Sequence, residues 1–152
     1  MAFMIRFSRM KYRFLEDIAT ADVVFEAYGK TLEDLFQNCA LALMEVMVDT
    51  ATVSPSQSEK LKIKSEKLEN LLFDFLSELV YLKDAKQILF SKFSVNIKTL
   101  HPKPYTLVAN LWGEKINPRH HHLRTDVKAV TWHLFKIEKE KKGWRAQVVV
   151  DI

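Results

Sequence analysis

The sequence predicts a single α+β domain in which two helices pack on a mostly antiparallel, mixed β-sheet. Two stretches of apolar residues have the three- and four-residue spacing of helices, and seven others alternate or run apolar over strand lengths. Their order along the chain is β-β-α-β-α-β-β-β-β. A chain of 152 residues, 48% of them hydrophobic, is long enough to bury one sizeable core. We assign residues 10–152 to this domain and residues 1–9 to an N-terminal extension, because the regular pattern begins only after residue 9.

The first part of the chain predicts two strands and a helix. Residues 11–17 ("KYRFLED") and 21–29 ("ADVVFEAYG") have strand patterns, and Gly29 ends the second. Thr31, with Asp34 three residues later, resembles a capping box at a helix start. The apolar residues that follow form one stripe on a helix of about four to five turns. They are Leu32, Leu35, Phe36, Cys39, Ala40, Leu43, Met44 and Met47.

The second part of the chain predicts one more helix among five strands. Residues 49–59 ("DTATVSPSQSE") are typical of a loop, and residues 60–66 alternate as a half-exposed strand. A second helical stripe ends near Lys83. Its apolar members are Leu68, Leu71, Leu72, Phe75, Leu76, Leu79 and Val80. The remaining strands are predicted at 88–100, 105–116, 127–140 and 144–152. Gly143 suits a hairpin turn between the last two of these strands.

Composition excludes several classes of protein. The formal net charge of +4 permits an RNA or acidic partner without requiring one. The lone Cys39 excludes an internal disulfide and a cysteine-based zinc cluster, and it favours a cytoplasmic location. No stretch has the pattern of a signal peptide or a membrane span of about 20 apolar residues, so we expect no membrane association. There are three glycines and no Gly-rich phosphate loop, which argues against a stand-alone nucleotide enzyme.

Residues 146–152 ("AQVVVDI") combine the pattern of a buried strand with negative charge. Asp151 shares a strand face with Val149, and the α-carboxylate of Ile152 follows one residue later. Two carboxylates this close repel each other, and burying either without a partner is costly. The sequence therefore predicts a positive partner here. It is either a basic side chain or a hard divalent cation such as Ca²⁺ or Mg²⁺, which needs further oxygen ligands.

Two other stretches contain polar groups with functional potential. Asp22 opens the second strand, where it either makes a local backbone hydrogen bond or presents its carboxylate at the end of a sheet. Residues 117–128 form a locally basic loop with three consecutive histidines. Adjacent histidines without a second cluster are a weak zinc signal. The loop is either a solvated surface or a source of hydrogen bonds and positive charge for a phosphate or a partner carboxylate.

Three segments, together with the closing "VVVDI", resemble the archease family. They are 20–50 ("TADVVFEAYGKTLEDLFQNCALALMEVMVDT"), 68–82 ("LENLLFDFLSELVYL") and 113–133 ("GEKINPRHHHLRTDVKAVTWH"). The resemblance runs from about Lys11 to Ile152 in order and without large insertions. It implies a non-catalytic activator of an RtcB-type tRNA-splicing ligase, promoting guanylylation and multiple turnover of the ligase. An older interpretation of the family is a chaperone that modulates a tRNA cytosine methyltransferase. A metal-dependent hydrolase is a third hypothesis for the same carboxylates.

The resemblance also implies a divalent-cation site, expected to hold Ca²⁺, with Mg²⁺ or Mn²⁺ as alternatives. Its ligands would be Asp22, Asp151 and a main-chain or terminal oxygen of Ile152. The family usually has a histidine where this chain has Ala19, which leaves Asp17 as a further candidate ligand. The family pattern assigns three more residues to the activating surface. These are His121, Asp126 (where glutamate is usual) and Lys128.

Overall fold

The computed structural model describes residues 10–15, 22–101 and 103–152, and in them the predicted element order is confirmed. The strands are Tyr12–Leu15 (β1), Asp22–Gly29 (β2), Gln57–Ser65 (β3), Ile88–Thr99 (β4), Tyr105–Lys115 (β5), Ala129–Glu140 (β6) and Gly143–Asp151 (β7). The helices are Leu32–Met47 (α1) and Leu68–Lys86 (α2), and a 3-10 turn covers Thr50–Thr52. The predicted loop at 49–59 is shorter than expected because β3 already begins at Gln57.

The strands form two antiparallel sheets. One has four strands in the order β1-β2-β7-β6, and the other has three in the order β3-β5-β4. The prediction of antiparallel pairing is confirmed, and no parallel pair occurs among the described strands. The division into two sheets differs from the single mixed sheet expected. Alternation along a strand identifies its buried face, but it does not identify the neighbouring strand.

Helix α1 joins the two sheets. Thr31 caps its N-terminus, since the Thr31 side-chain oxygen accepts a hydrogen bond from the Asp34 N–H at 3.1 Å, which confirms the predicted helix start. The helix packs against β2 of one sheet and β4 of the other, while α2 packs against β6 and β3. Between the helices, Phe36 stacks on Phe75 with ring centroids 6.1 Å apart. The core therefore lies between the helices and the inner faces of both sheets.

Within the described residues, neither helix is long and apolar enough to cross a bilayer.

The alternation of β2 and β7 separates core residues from charged ones. Phe25 lies opposite Val148 and Val23 lies opposite Val150, and these side chains belong to or pack against the core. The side chain of Ile152 also packs against the core. Glu26, Arg145 and Asp151 occupy the alternate positions, on the other face of the same sheet. The terminal strand thus turns Ala146, Val148 and Val150 toward the helices, while Asp151 lies on the other face together with the buried Val149.

Gly113 on β5 lies directly against the backbone of β4. The register of β4 shifts between Phe90 and Lys92, opposite Gly113. A Cβ atom at Gly113 would overlap the backbone carbonyl of Leu89, and a backbone atom cannot rotate away as a side chain can. The irregularity in β4 therefore requires glycine at this position.

We expect Gly113→Ala to lower the free energy of unfolding by about 1–3 kcal/mol, because overpacking a closed site forces the backbone to shift. Urea denaturation measures the change. Ser94→Ala, on the exposed face of the same sheet, is the control and should stay within about 0.5 kcal/mol of the wild type. An alanine variant as stable as the wild type would show that this close approach does not exist.

Candidate functional site

Strands β2 and β7 bring two carboxylates to one end of the four-stranded sheet. Asp22 lies directly opposite Asp151 in the antiparallel register, and both residues are half-buried. Residues directly opposed in this way project to the same face, with Cβ atoms about 4.5–5.5 Å apart. The two candidate ligands, 129 positions apart in sequence (151 − 22), are therefore neighbours in the fold.

The two carboxylates lack a cationic partner in the described part of the chain. Neither Asp22 nor Asp151 forms an ion pair with any residue in 10–15, 22–101 or 103–152. Like charges directly opposite each other on a sheet are destabilising. A cation placed between them would remove that repulsion. Asp17 lies in 16–21, outside the described residues, so its predicted role as a further ligand stays a prediction.

The donor chemistry of this sheet end fits a hard cation. Asp22 and Asp151 offer carboxylate oxygens, and Ile152 follows directly with a main-chain oxygen. Such an oxygen-only set suits Ca²⁺ or Mg²⁺ better than softer metals. Calcium takes about 6–8 oxygen ligands, so these residues leave coordination positions to water or to a group from a partner.

The backbone of Asp151 is fixed by the segment that leads into β6. The Lys128 N–H donates to the Asp151 carbonyl oxygen at 2.8 Å, and Ala129 pairs with Asp151 across the sheet. The side chain of Lys128 is exposed. Of the three residues predicted for the activating surface, Lys128 is thus the one tied directly to a candidate ligand.

A buried lysine on α2 also binds the segment that leads into β6. Lys83, near the end of α2, has a side chain only 5% exposed. Its ammonium donates to the carboxylates of Asp84 (2.5 Å) and Asp126 (2.6 Å) and to the Val127 carbonyl oxygen (2.9 Å). Burial opposes the charge of the ammonium, but its hydrogen bonds to Asp126 and Asp84 outweigh this effect, so the pKa of Lys83 is raised.

Sequence reasoning did not identify Lys83, although a signal was present. The apolar stripe of α2 includes Leu79 and Val80, and Lys83 lies four and three residues after them. A lysine that continues a buried stripe needs acidic or carbonyl partners, because a buried charge is costly unless it is paired. Asp126 is one of those partners, and its own side chain remains 70% exposed.

His121 requires a correction. We expected it on an exposed activating surface, but its side chain is 0% exposed. Its Nδ1 accepts a hydrogen bond from the Asn117 N–H at 2.9 Å, and its Nε2 lies 2.7 Å from Glu114 Oε1. A turn at 117–120 folds the ring inward, so the His121 side chain is not part of the exposed surface. The basic composition of the loop predicted a solvated segment and did not indicate these contacts.

The same hydrogen bonds exclude the zinc interpretation of the histidines in this arrangement. The ligand atoms of Glu114, His120 and His121 lie within 4.8 Å of one another. However, Nδ1 of His121 accepts a hydrogen bond, so the proton of the neutral ring is on Nε2 and is donated to Glu114. A metal on Nε2 would require both ring nitrogens to lack a proton. We therefore interpret the cluster as a structural brace, completed by the Ser54 N–H, which donates to Glu114 at 2.9 Å.

These features define the class of protein: a small α+β domain with two opposed carboxylates at one end of an antiparallel sheet. A sequence model of the archease protein family matches residues 12–152. The protein archease of Methanosarcina mazei is 44% identical over 142 residues, which span 93% of this chain and 96% of that protein. The protein archease of Sulfurisphaera tokodaii is 43% identical, spanning 93% of this chain and 99% of that protein. The chain belongs to the archease family.

Solved structures agree with this assignment. The solution structure of protein 1598 from Methanobacterium thermoautotrophicum has a TM-score of 0.82 at 39% identity, covering 93% of this chain and 99% of that one. The crystal structure of an archease from Thermotoga maritima, described as a possible chaperone, has a TM-score of 0.59 at 21% identity, with coverage of 92% and 98%. The second comparison supports the fold alone. The resemblance and the fold class inferred from the sequence are confirmed.

Lys83→Met keeps most of the apolar stem but leaves the Val127 carbonyl oxygen without its donor. We expect it to cost about 1–3 kcal/mol of stability, the usual cost of an unsatisfied buried polar group. Asp126→Asn is the comparison, and it should cost less, because the amide oxygen can still accept from Lys83 while Asp84 and the Val127 carbonyl oxygen remain as partners. Urea denaturation compares both variants with the wild type. If Lys83→Met costs no more than Asp126→Asn, the buried lysine does not hold the loop.

Glu114→Gln tests the brace through its pH dependence. The pKa of Glu114 is lowered from its ordinary value near 4.5, first by the N–H of Ser54 and then by His121. A lowered pKa in the folded state contributes stability that is present above the ordinary value and lost as the pH falls through the folded-state value. The advantage of the wild type over Glu114→Gln should therefore exist at neutral pH and disappear on acidification below 4.5. Denaturation midpoints against pH measure it, and two parallel curves would contradict it.

Proposed function

We propose that the protein is a non-catalytic activator of an RtcB-type tRNA-splicing RNA ligase, which promotes guanylylation and multiple turnover of the ligase. The observation that carries this proposal is the direct opposition of Asp22 and Asp151, two carboxylates that form no ion pair within the described residues. The family resemblance supplies the ligase as partner, and the lone buried Cys39 suits the cytoplasm, where thiols stay reduced.

In the proposed site, Asp22, Asp151 and the main-chain oxygen of Ile152 hold a divalent cation. We propose Ca²⁺, with Mg²⁺ and Mn²⁺ as alternatives. When bound, the cation supplies positive charge and open coordination positions at the surface of the activator. The residues of this chain bind and position it, and they break no bond themselves. Positioning alone can lower a barrier substantially, because it removes the entropy cost of bringing groups together.

The exposed residues beside the site form the proposed contact surface. Lys128 offers an exposed ammonium that suits a phosphate oxygen or an acidic ligase side chain. Asp126 offers an exposed carboxylate that Lys83 holds in place. His121 is no longer part of this surface, and we assign it to the structural brace. Lys128 itself makes the backbone hydrogen bond to Asp151, and Asp126 lies two residues before it in the chain.

A chaperone for a tRNA cytosine methyltransferase is the second candidate function. It is favoured by an exposed apolar cluster on β6 and α2. Trp132 is 51% exposed and stacks on Phe73 with ring centroids 4.0 Å apart, while Phe135 packs against both rings. Exposed aromatic surface of this kind suits binding to a partially folded protein. The Thermotoga maritima archease is likewise described as a possible chaperone.

We expect Asp22→Asn and Asp151→Asn each to lower Ca²⁺ affinity by more than about tenfold and to abolish multiple turnover, because each removes a charged ligand. The assay combines the ligase, GTP, Mn²⁺ and excess tRNA halves with each protein. Calorimetry with Ca²⁺ reports the affinity separately. Asp74→Asn is the matched control, since Asp74 is an exposed carboxylate on α2 and outside the site.

Other results select among the alternatives. Ligation that stays stoichiometric with the wild-type protein present would contradict the ligase proposal. Hydrolysis of a phosphoester by this protein alone would favour the metal-dependent hydrolase. Reduced aggregation of the methyltransferase, without any effect on ligation, would favour the chaperone.

A further inference from the structure

The three-stranded sheet has one face on the core and the other in solvent. Side chains of alternate positions, such as Val95 and Leu107, belong to the core. The outward positions carry five exposed lysines, which we call the lysine face: Lys60, Lys62 and Lys64 on β3, and Lys92 and Lys98 on β4. No Asp or Glu occupies an outward position of these described strands within 60–64, 92–98 or 106–112. Ordinary surfaces intersperse charges of both signs.

The positive charges of the lysine face are not neutralised within the described chain. None of its five ammonium groups forms an ion pair with residues 10–15, 22–101 or 103–152. Lysines elsewhere do pair, as Lys86 does with Glu59 at 2.9 Å. Lys92 lies over the ring of Trp112, 4.9 Å from its centroid, which leaves its charge intact. The face is therefore a site of unbalanced positive charge.

The strand register sets the spacing of these charges. Successive lysines along β3 are two residues and therefore about 6.8 Å apart, since a strand rises about 3.4 Å per residue. Lys64 and Lys98 face the same residue, Thr106, from opposite sides and are therefore about 9.5 Å apart, two strand spacings. This grid is comparable in scale to the separation of successive phosphates along a nucleic-acid strand.

A shallow cavity crosses the lysine face. Its volume is about 390 Å³, and it is lined by Lys62, Asn96, Lys98, Thr106 and Val108. Most of the lining surface is apolar, while two ammonium groups, an amide and a hydroxyl of these side chains provide hydrogen-bond donors there. The cavity thus joins positive charge to donors that suit phosphate and sugar oxygens.

We propose that the lysine face binds the phosphate backbone of RNA without base specificity. Protein–protein interfaces are depleted in lysine and depend on an apolar centre, whereas nucleic-acid interfaces are polar and strongly positive. The lysine face has the polar and strongly positive composition of a nucleic-acid interface. The choice of RNA over DNA rests on the proposed function. The inference that this face binds an anionic polymer rests on the positions of the lysines alone. The face belongs to a different sheet from Asp22 and Asp151, so one molecule can bind RNA and present its carboxylates separately.

The test measures binding of a labelled single-stranded RNA to the full chain, without ligase, by fluorescence anisotropy at several salt concentrations. For Lys62→Gln/Lys98→Gln, the slope of log affinity against log salt should decrease by about 1.4, because each single-strand phosphate contact contributes about 0.7. Lys141→Gln/Lys142→Gln removes the same charge from the turn between β6 and β7, and it should leave the slope unchanged. Lys62→Arg/Lys98→Arg keeps the charge and should retain binding.

Three results would overturn the proposal. The first is no RNA binding at low salt. The lysines would then be explained by their ability to keep the exposed edge strands β3 and β4 from pairing with other chains. The second is an equal loss in the two glutamine pairs, which would mean a response to net charge alone. The third is tighter binding to anionic lipid vesicles or to an acidic peptide than to RNA. Because no ligase is present, these failures are distinct from failure of the ligation assay.

Discussion

The antiparallel register of β2 and β7 is the constraint on which the candidate site depends. Phe25 and Val148 are both fully buried and face each other across this pair, and the same register places Asp22 opposite Asp151. A slip of one residue would turn every side chain of a strand to the other face. It would drive Asp151 into the core and Ile152 out of it. The apolar alternation that builds the core therefore also places two acidic groups side by side. The free energy gained by packing the core outweighs the repulsion between their carboxylates.

The loop between β5 and β6 connects this sheet end to the rest of the interior. It is anchored first by His121 on Glu114, then by the backbone N–H groups of Arg124 and Thr125, which donate to the last carbonyls of α1. Lys83 then holds the carbonyl of Val127, one residue before the hydrogen bond between Lys128 and Asp151. Each anchor satisfies a buried polar group, as buried groups generally require. The anchors also give Asp126 and Lys128 defined positions beside the carboxylates. A flexible loop could not present two charged groups to a partner without a further entropy cost.

Sequence reasoning predicted the parts of this structure that depend on local pattern. The helical stripes, the cap at Thr31 and the position of Asp151 on the strand face of Val149 follow from spacing alone. The division into two sheets did not follow, because it depends on which strands α1 contacts. The burial of His121 was missed because its sequence neighbours are polar and its partner Glu114 lies on β5, a contact that the loop sequence does not indicate. Lys83 lay within a recognised apolar stripe, and a lysine there should have been interpreted as a buried charge with partners.

The two sheets give the molecule two chemically opposite surfaces, an acidic end on one and the lysine face on the other. A crystal structure of the full chain grown with Ca²⁺ would test most directly whether the acidic end holds a cation. The account predicts anomalous density about 2.3–2.6 Å from carboxylate oxygens of both Asp22 and Asp151. The density should be lost from crystals of Asp151→Asn. A basic side chain in that position, or water alone at saturating Ca²⁺, would contradict it.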